Sequence, residues 1–559
     1  MNPDSAQAPR ENSLKLETLS FDKIPRGSRL FLDFQANSPA AAKFFPNEQT
    51  SLADFASEVL TNYKIDRNEL CDALKEMNES VGANEKTFRN IELLREKDCV
   101  AVVTGQQAGL FSGALYTIYK ALSAVRFCAE LKKQNINAVP VFWIAEEDHD
   151  FDEIKKTFVL SRSESQGGLI SLENTPENYK ENSPVGRIRL DEMINHTTDQ
   201  LLKNLAQTEF THVIKLWLSA SYKPGETFST AFAKFLAQVF SDHGLVFLSP
   251  LDSRLKKLCA PIFVEAIEKS DEINSALLER NAELAKENYQ AQVLVEENSF
   301  PFFLLDEDGE RAALRRDLQS GKIKGPHSKT EFDRDELVKI AQNSPEKLSP
   351  NALSRPVVQD YLLPTLTYFG GAAEVAYFAQ NSAIYEILNR PVTPILHRAS
   401  FTIVEPKHRR TLEKYELKFA DLFEGKEKIF AKIVEKFLND GTAREFTEAE
   451  EIINAQLNNL DQHLTKSEPT LSENLATRRR KILWHIGALR KKYHRAEILK
   501  NEVARRRIET LFAELLPDNQ LQERSLNVIT FLNIYGENFI DWVYEAIEPE
   551  EKKHQIIYL

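Results

Sequence analysis

The chain has 559 residues, 42% of them hydrophobic, which is too long for one core and apolar enough to fill two or three. Its 71 Lys and Arg stand against 84 Asp and Glu, and the net charge of −13 argues against non-specific nucleic-acid binding by the chain as a whole. Cys71, Cys99, Cys128 and Cys259 make no CxxC pair and no Cys/His ligand spacing, which speaks against a disulfide or zinc framework and fits a reducing cytoplasm.

The opening stretch MNPDSAQAPRENS is polar and lacks an apolar signal core, and no run of 18 apolar residues follows, so neither export nor a membrane span is expected. Over the first 404 residues, short β-branched runs are followed by helical periodicity, the pattern of parallel βα units. Core strands are predicted at Cys99–Thr104, Ala138–Ala145, Leu245–Ser249, Val375–Ala379 and Val392–His397. Their near-continuous apolar character predicts a sheet covered on both faces, hence an α/β, Rossmann-like, doubly wound parallel sheet. The polar stretches at about 155–240 and 270–350 are too long for simple crossovers and read as inserted connecting subdomains.

The first βα junction is VVTGQQAGLFSGALYTIYKAL, residues 102–122. Gly105, Gly109 and Gly113 recur before a helical face begins, which gives a glycine-rich turn whose amides favour phosphate or carboxylate. The pattern is neither GxGxxG nor GxxxxGK[ST], and turn geometry alone would also account for the glycines. Two adjacent amides, Gln106 and Gln107, at the end of a buried strand have no such packing explanation and can bind a polar ligand.

The second strand runs into AEEDHDFDEI, residues 145–154. In a parallel sheet this acidic run emerges beside the glutamines, at the carboxyl edge where open α/β sheets take their ligands. Asp150 with Glu153 fits the polar start of a helix, which leaves Glu147, Asp148 and His149 as candidates for Mg²⁺ binding, base catalysis toward an amine, or an ammonium clamp. His149 also admits a structural role. HExxH spacing is absent, which argues against a zinc protease, and no metal is specified.

Residues 355–380, RPVVQDYLLPTLTYFGGAAEVAYFAQ, add Arg355 as a carboxylate clamp, with Gln359 and Glu374 as further binding candidates. Arg355 paired with Asp360 is the structural alternative. His397 and Arg398 close the last predicted strand and are ligand candidates by position.

From residue 405 the texture becomes charged and poor in glycine. Ile453, Leu457, Leu460 and Leu464, then Leu471, Leu475, Ile482, Ile486, Leu489, Tyr493 and Ala496, set a heptad-like seam, so 405–515 is predicted to be an antiparallel coiled-coil arm that makes a homodimer. The register falters near Leu499, Val503 and Ile508. The basic clusters Arg478–Lys481, Arg490–Lys492 and Arg505–Arg507 read as a solvated face, not a nucleic-acid surface. Residues 516–559 are expected to pack back on the core.

Four of these stretches, VVTGQQAGLFSGALYTIYKA, VPVFWIAEEDHDFDEI, RPVVQDYLLPTLTYFGGAAEVAYFAQ and LPDNQLQERSLNVITFLNIYG, occur in the order that resembles the BshC family, the cysteine-adding enzymes of bacillithiol biosynthesis. The resemblance spans nearly the whole chain. It implies a Rossmann-like core related to nucleotidylyl transferases and class I synthetases, a coiled-coil dimer, and addition of L-cysteine to glucosaminyl-malate to give bacillithiol. GQQAGLFSG stands where the synthetases carry HxGH, and the Lys-rich loop is absent, so only the GQQ and EEDHD positions match by motif.

Amide formation from a free carboxylate is uphill in water, so ATP with Mg²⁺ is expected to activate the cysteine carboxylate as an acyl-adenylate or acyl-phosphate. His149 or a neighbouring carboxylate would then take the amine proton, while Gln106, Gln107 and the turn amides hold malate or phosphate oxygens. A ligase of this kind acts on small molecules in the cytoplasm, without membrane or nucleic acid. The alternative is a non-catalytic metabolite-binding scaffold that dimerises through its arm.

Overall fold

The computed structural model describes residues 15–46, 51–161, 168–173, 175–176, 179–306, 309–325, 330–438 and 441–559; the polar opening stretch lies outside them. At its centre is a five-stranded sheet of Val100–Gln106, Ala138–Ile144, Val246–Leu248, Thr365–Gly370 and Ile395–His397. All four pairings are parallel, and the spatial order is fifth, fourth, first, second, third. The winding therefore reverses between the first and fourth strands. Their carboxyl ends flank the crevice where such sheets bind ligands.

Alternation along the strands explains the apolar runs. Ala101, Val103, Val139, Val141 and Trp143 enter one core, while Val100, Val102, Phe142 and Ile144 point to the other face. Both faces are covered, so the polar residues inside these strands are threonines whose hydroxyls bond to carbonyls, as Thr104 does to Phe369 and Thr367 to Pro394.

One predicted strand is helical. Val375–Ala379 lies inside the helix Ala372–Ile387, and the fourth strand is the preceding Thr365–Gly370. The run reads as a strand because this helix is buried nearly all round: Val375, Ala376, Phe378, Ala379, Gln380 and Asn381 are all buried, which erases the amphipathic period. Glu374 does not begin a strand. It occupies the helix's third position, where its carboxylate accepts the Gly371 amide at 2.7 Å.

Between the second and third strands lie the short helix Phe151–Ile154, an antiparallel hairpin, Lys156–Val159 with Gly168–Ser171, and the longer helices Met193–Asn204, Thr211–Ser221 and Phe228–Val239. Between the third and fourth strands, a separate antiparallel sheet is built around Ser299–Leu305 and Arg311–Arg316. A third sheet joins distant parts of the chain: His554–Tyr558 pairs antiparallel with Lys15–Leu19 and parallel with Phe401–Val404.

The arm is a helical hairpin of Thr442–Ser467 and Pro469–Lys500, with Pro469 at the first helical position of the return. Its antiparallel register is seen in side-chain bonds from Ser472 to Asp461 and from Arg479 to Asn454 and Asn458, and in Arg490 paired with Glu450; Arg490 also reaches Glu435 of the preceding helix Lys426–Phe437. The faltering seam near Leu499 is a helix break. Asn501 ends one helix and caps the next, Glu502–Leu515, by accepting the Ala504 amide at 3.0 Å. Among the described residues, no helix is long and apolar enough to cross a membrane.

Candidate functional site

The reversal point is held by a buried ion pair. Lys120, on the helix Tyr116–Lys133 that follows the glycine-rich turn, lies 2.6 Å from Glu374 of the helix after the fourth strand. The same ammonium donates to the Gly105 carbonyl and to Gln106 Oε1, both at 2.9 Å. Gln106 is thereby oriented: its oxygen is taken by Lys120, and its amide nitrogen turns to the Tyr116 hydroxyl at 3.3 Å. Burial alone would raise Glu374, but the Lys120 charge and hydrogen bond, the Gly371 amide and the Tyr368 hydroxyl outweigh it and hold the carboxyl below its ordinary range.

The glycines of the turn serve packing as well as access. A side chain on Gly105 would lie 2.6 Å from the Trp143 carbonyl, and one on Gly109 would lie 2.9 Å from Gly113 Cα. Gly113 itself has φ +69°. The turn is pinned by Asn527, whose amide donates to the carbonyls of Phe111 at 2.7 Å and Gly113 at 2.8 Å and to the Thr157 hydroxyl at 2.9 Å.

Two cavities open along the carboxyl edge. The first, about 300 Å³, is lined by Gln106, Gln107, Gly109, Tyr116, Glu153 and Arg524, among others. Burial, then the nearby Asp150 and Asp148, push the Glu153 carboxyl up against the pull of Gln107. The second, about 370 Å³, is lined on one side by Ala372, Ala373, His397 and Arg398, and shares Gln520 and Arg524 with the first. Burial, then Arg398, drive His397 well below its ordinary range, so it is neutral there.

The acidic loop is divided by burial. Glu147 forms a buried ion pair with Lys256, which also donates to the Leu348 carbonyl at 2.9 Å. Glu146 is raised by burial, and bonds to Ser249 and to the Leu251 amide. These two carboxyls tie the loop to the end of the third strand and to the helix Ser253–Glu268 that follows it. Asp148 is half-buried and accepts from Gln107, which joins the first two strands' loops, and His149 lies beside it with Nδ1 3.6 Å from Asp148 Oδ1. Neither Asp148 nor His149 lines the first cavity. Asp150 caps the helix Phe151–Ile154, accepting the Glu153 amide at 3.0 Å.

The third segment contributes less to the edge than its composition implies. Gln359 is fully buried and bonds to Arg355 and Asp360, while Asp360 bonds to Tyr385 and approaches Thr365 at the amino end of the fourth strand. Gln359 is therefore not an edge residue; it satisfies buried partners. Arg355 pairs with Gln359 at 2.9 Å and the Tyr377 hydroxyl at 2.8 Å, not with Asp360, and stacks over Tyr368 behind Glu374.

Among the described residues, the acidic loop forms no cluster of three metal-ligating side chains. The group that does converge is Glu405, His408 and Glu514, where Lys407 bridges both carboxylates at 3.1 and 2.6 Å.

Comparison with known proteins agrees with this architecture over its full length. The family described as "Bacillithiol biosynthesis BshC, N-terminal Rossmann-like domain" matches residues 14–399, and "Bacillithiol biosynthesis BshC, C-terminal coiled-coil domain" matches 401–559. Proteins named "Putative cysteine ligase BshC" from Koribacter versatilis and Salinibacter ruber are each 34% identical to this chain, over 94% of it and 96% of their own length. One of the same name from Chlorobaculum tepidum is 32% identical over 95% of this chain and 96% of its own. With a reversed-winding parallel sheet, ligand-sized cavities at its carboxyl edge and a helical hairpin in place, the chain belongs to the BshC family of bacillithiol biosynthesis.

Proposed function

We propose that this protein is a ligase that joins the carboxyl group of L-cysteine to the amine of glucosaminyl-malate, forming bacillithiol as the last step of its synthesis. The observation that carries the reading is the convergence of Gln106, Gln107, Glu153 and Arg524 on one cavity at the sheet's reversal point. Amide donors, a cation and a carboxyl pushed toward neutrality are what a site needs to hold an acidic sugar and remove a proton from its amine. A scaffold would not need them together.

In this reading Gln106, fixed by Lys120, presents its amide nitrogen to substrate oxygen, and so does Gln107, which is held by Asp148 of the neighbouring loop. Glu153 takes the amine proton, because it lines the cavity and its raised carboxyl matches the task better than an ordinary one. His149, on the rim and half-exposed, is the alternative base. Magnesium-bound ATP would supply the activation that makes amide formation downhill. Mg²⁺ carried on phosphates needs only one or two carboxylates, and the half-exposed Asp148 fits that demand.

The arm supports a homodimer. Leu471, Ile482 and Leu489 lie on one face of the return helix and remain exposed, a stripe that one chain leaves uncovered; Leu460 on the outgoing helix is exposed as well.

The test is purified protein with glucosaminyl-malate, L-cysteine and Mg-ATP, read by mass spectrometry for bacillithiol and for AMP or ADP. Product with stoichiometric nucleotide cleavage supports the ligase, and the nucleotide separates adenylate from phosphate activation. Tight binding of glucosaminyl-malate without any product would favour a scaffold.

A further inference from the structure

The second cavity has a chemistry of its own. Its lining includes three guanidinium groups, Arg26, Arg398 and Arg524, against one carboxylate, Glu523. That carboxylate is spoken for: it accepts from Arg398 at 2.7 Å, the Ser400 hydroxyl at 2.9 Å and the Phe401 amide at 3.0 Å. Arg26 and Arg524 have no carboxylate partner among the described residues.

Arg398 supplies the independent observation. It is only 4% exposed, and two of its nitrogens are used, one toward Glu523 and one toward the Ala399 carbonyl at 2.9 Å. Its Nε is buried with no hydrogen-bond partner. An unpaired buried guanidinium donor is costly to leave unmet. Beside it in the lining is the start of the 16-residue helix Ala372–Ile387, with Ala372 and Ala373. First-turn amides have no intrahelical acceptor, and the helix dipole adds positive potential there. The helix start and Arg398 adjoin: a side chain on Gly371 would lie 4.0 Å from Arg398 Nε, at ordinary contact distance.

We propose that this cavity is a subsite for a doubly charged oxyanion, a dicarboxylate or a phosphate group, held by Arg398, Arg524 and the amides of Ala372 and Ala373, with Arg26 at the mouth. The excess of two positive charges over the lining matches such a group, and the cavity of about 370 Å³ accepts it with room for the atoms that carry it. Because Arg524 and Gln520 also line the first cavity, an anion anchored here leaves the rest of its molecule directed toward Gln106 and Glu153. Which anion belongs here rests on the ligase reading, in which malate and phosphate are the two sources. Anion binding itself does not.

The experiment is calorimetric titration of the full chain with L-malate and, separately, with inorganic pyrophosphate, at constant ionic strength. Two variants accompany it, Arg524→Gln and Ala373→Asp. The second places a carboxylate in the mouth of this cavity alone, at a helix position where Asp is favourable for stability, so folding is preserved. At least one anion is expected to bind the wild type, and both variants to weaken that binding at least tenfold with unfolding midpoints unchanged within a few degrees. Loss confined to malate identifies the dicarboxylate, and loss confined to pyrophosphate the phosphate. Wild-type affinity in Ala373→Asp, or no binding of either anion by the wild type, overturns the proposal. Intact binding without turnover would sink the ligase reading and leave this one standing.

Discussion

The ammonium of Lys120 lies 2.6 Å from the carboxylate of Glu374, and this buried pair ties the helix after the first strand to the helix after the fourth, across the point where the sheet reverses. Removing one partner strands a charge in the core. Lys120→Met is expected to destabilise the protein by about 3–5 kcal/mol in denaturant unfolding, and Lys120→Met with Glu374→Leu by much less. Equal losses in the single and double variants would show that the pair is not coupled.

Acid stability follows from the same carboxyl. Glu374 is held below its ordinary value of 4.5, so the unfolded chain takes up the proton at a higher pH than the folded one. Its stabilising contribution is therefore present above about pH 4.5 and lost as pH falls through the folded value. Glu374→Gln should flatten the fall in unfolding free energy below pH 5, and an unchanged slope would argue against the assignment.

The base of the proposed reaction is separable by pH profile. With Glu153 raised by burial and neighbouring acids, turnover should rise with pH through a value above 4.5. Glu153→Gln should remove that limb and lower kcat by about 10²–10⁴-fold. If His149→Ala removes the limb instead, with the unfolding midpoint within a few degrees, His149 is the base.

Asn527 makes three hydrogen bonds into the glycine-rich turn and its neighbour. Asn527→Ala leaves the Phe111 and Gly113 carbonyls without that donor and is expected to cost about 2–4 kcal/mol, with loss of ligand binding at the first cavity. A variant that keeps stability and binding would mean that the turn holds its own shape.

On the arm, Ile486 is half-buried and Leu489 is 59% exposed. Replacing both with Asp should convert a dimer to monomers, since burying two unpaired charges in an apolar interface costs several kcal/mol. Sedimentation of the wild type as a monomer at micromolar concentration would remove the homodimer.

The sheet was legible wherever burial on both faces made an apolar run end abruptly in polar residues, as at Gln106 and at Glu146. Thr365–Gly370 was missed because the buried helix beside it carries the stronger apolar signal. The meeting of Gln107 with Asp148 follows from adjacent parallel strands and needs no other information. Glu147 and Gln359 look functional in sequence because their partners, Lys256 and Arg355 with Asp360, are revealed only by folding. Lys120 and Arg524 carry no local signature at all. Lys120 reads as one more helical residue, and Arg524 comes to the sheet edge from a segment far along the chain.

The sheet in which His554–Tyr558 lies between Lys15–Leu19 and Phe401–Val404 also sets an order of assembly. During synthesis the first of these strands waits, with an unpaired edge, until nearly all the remaining residues have been made. Arg524 and Asn527 likewise arrive after the cavity walls they complete. The carboxyl edge of the central sheet is thus finished late, and an interrupted chain would present an open edge strand, the sort of surface that chaperones cover and aggregates recruit.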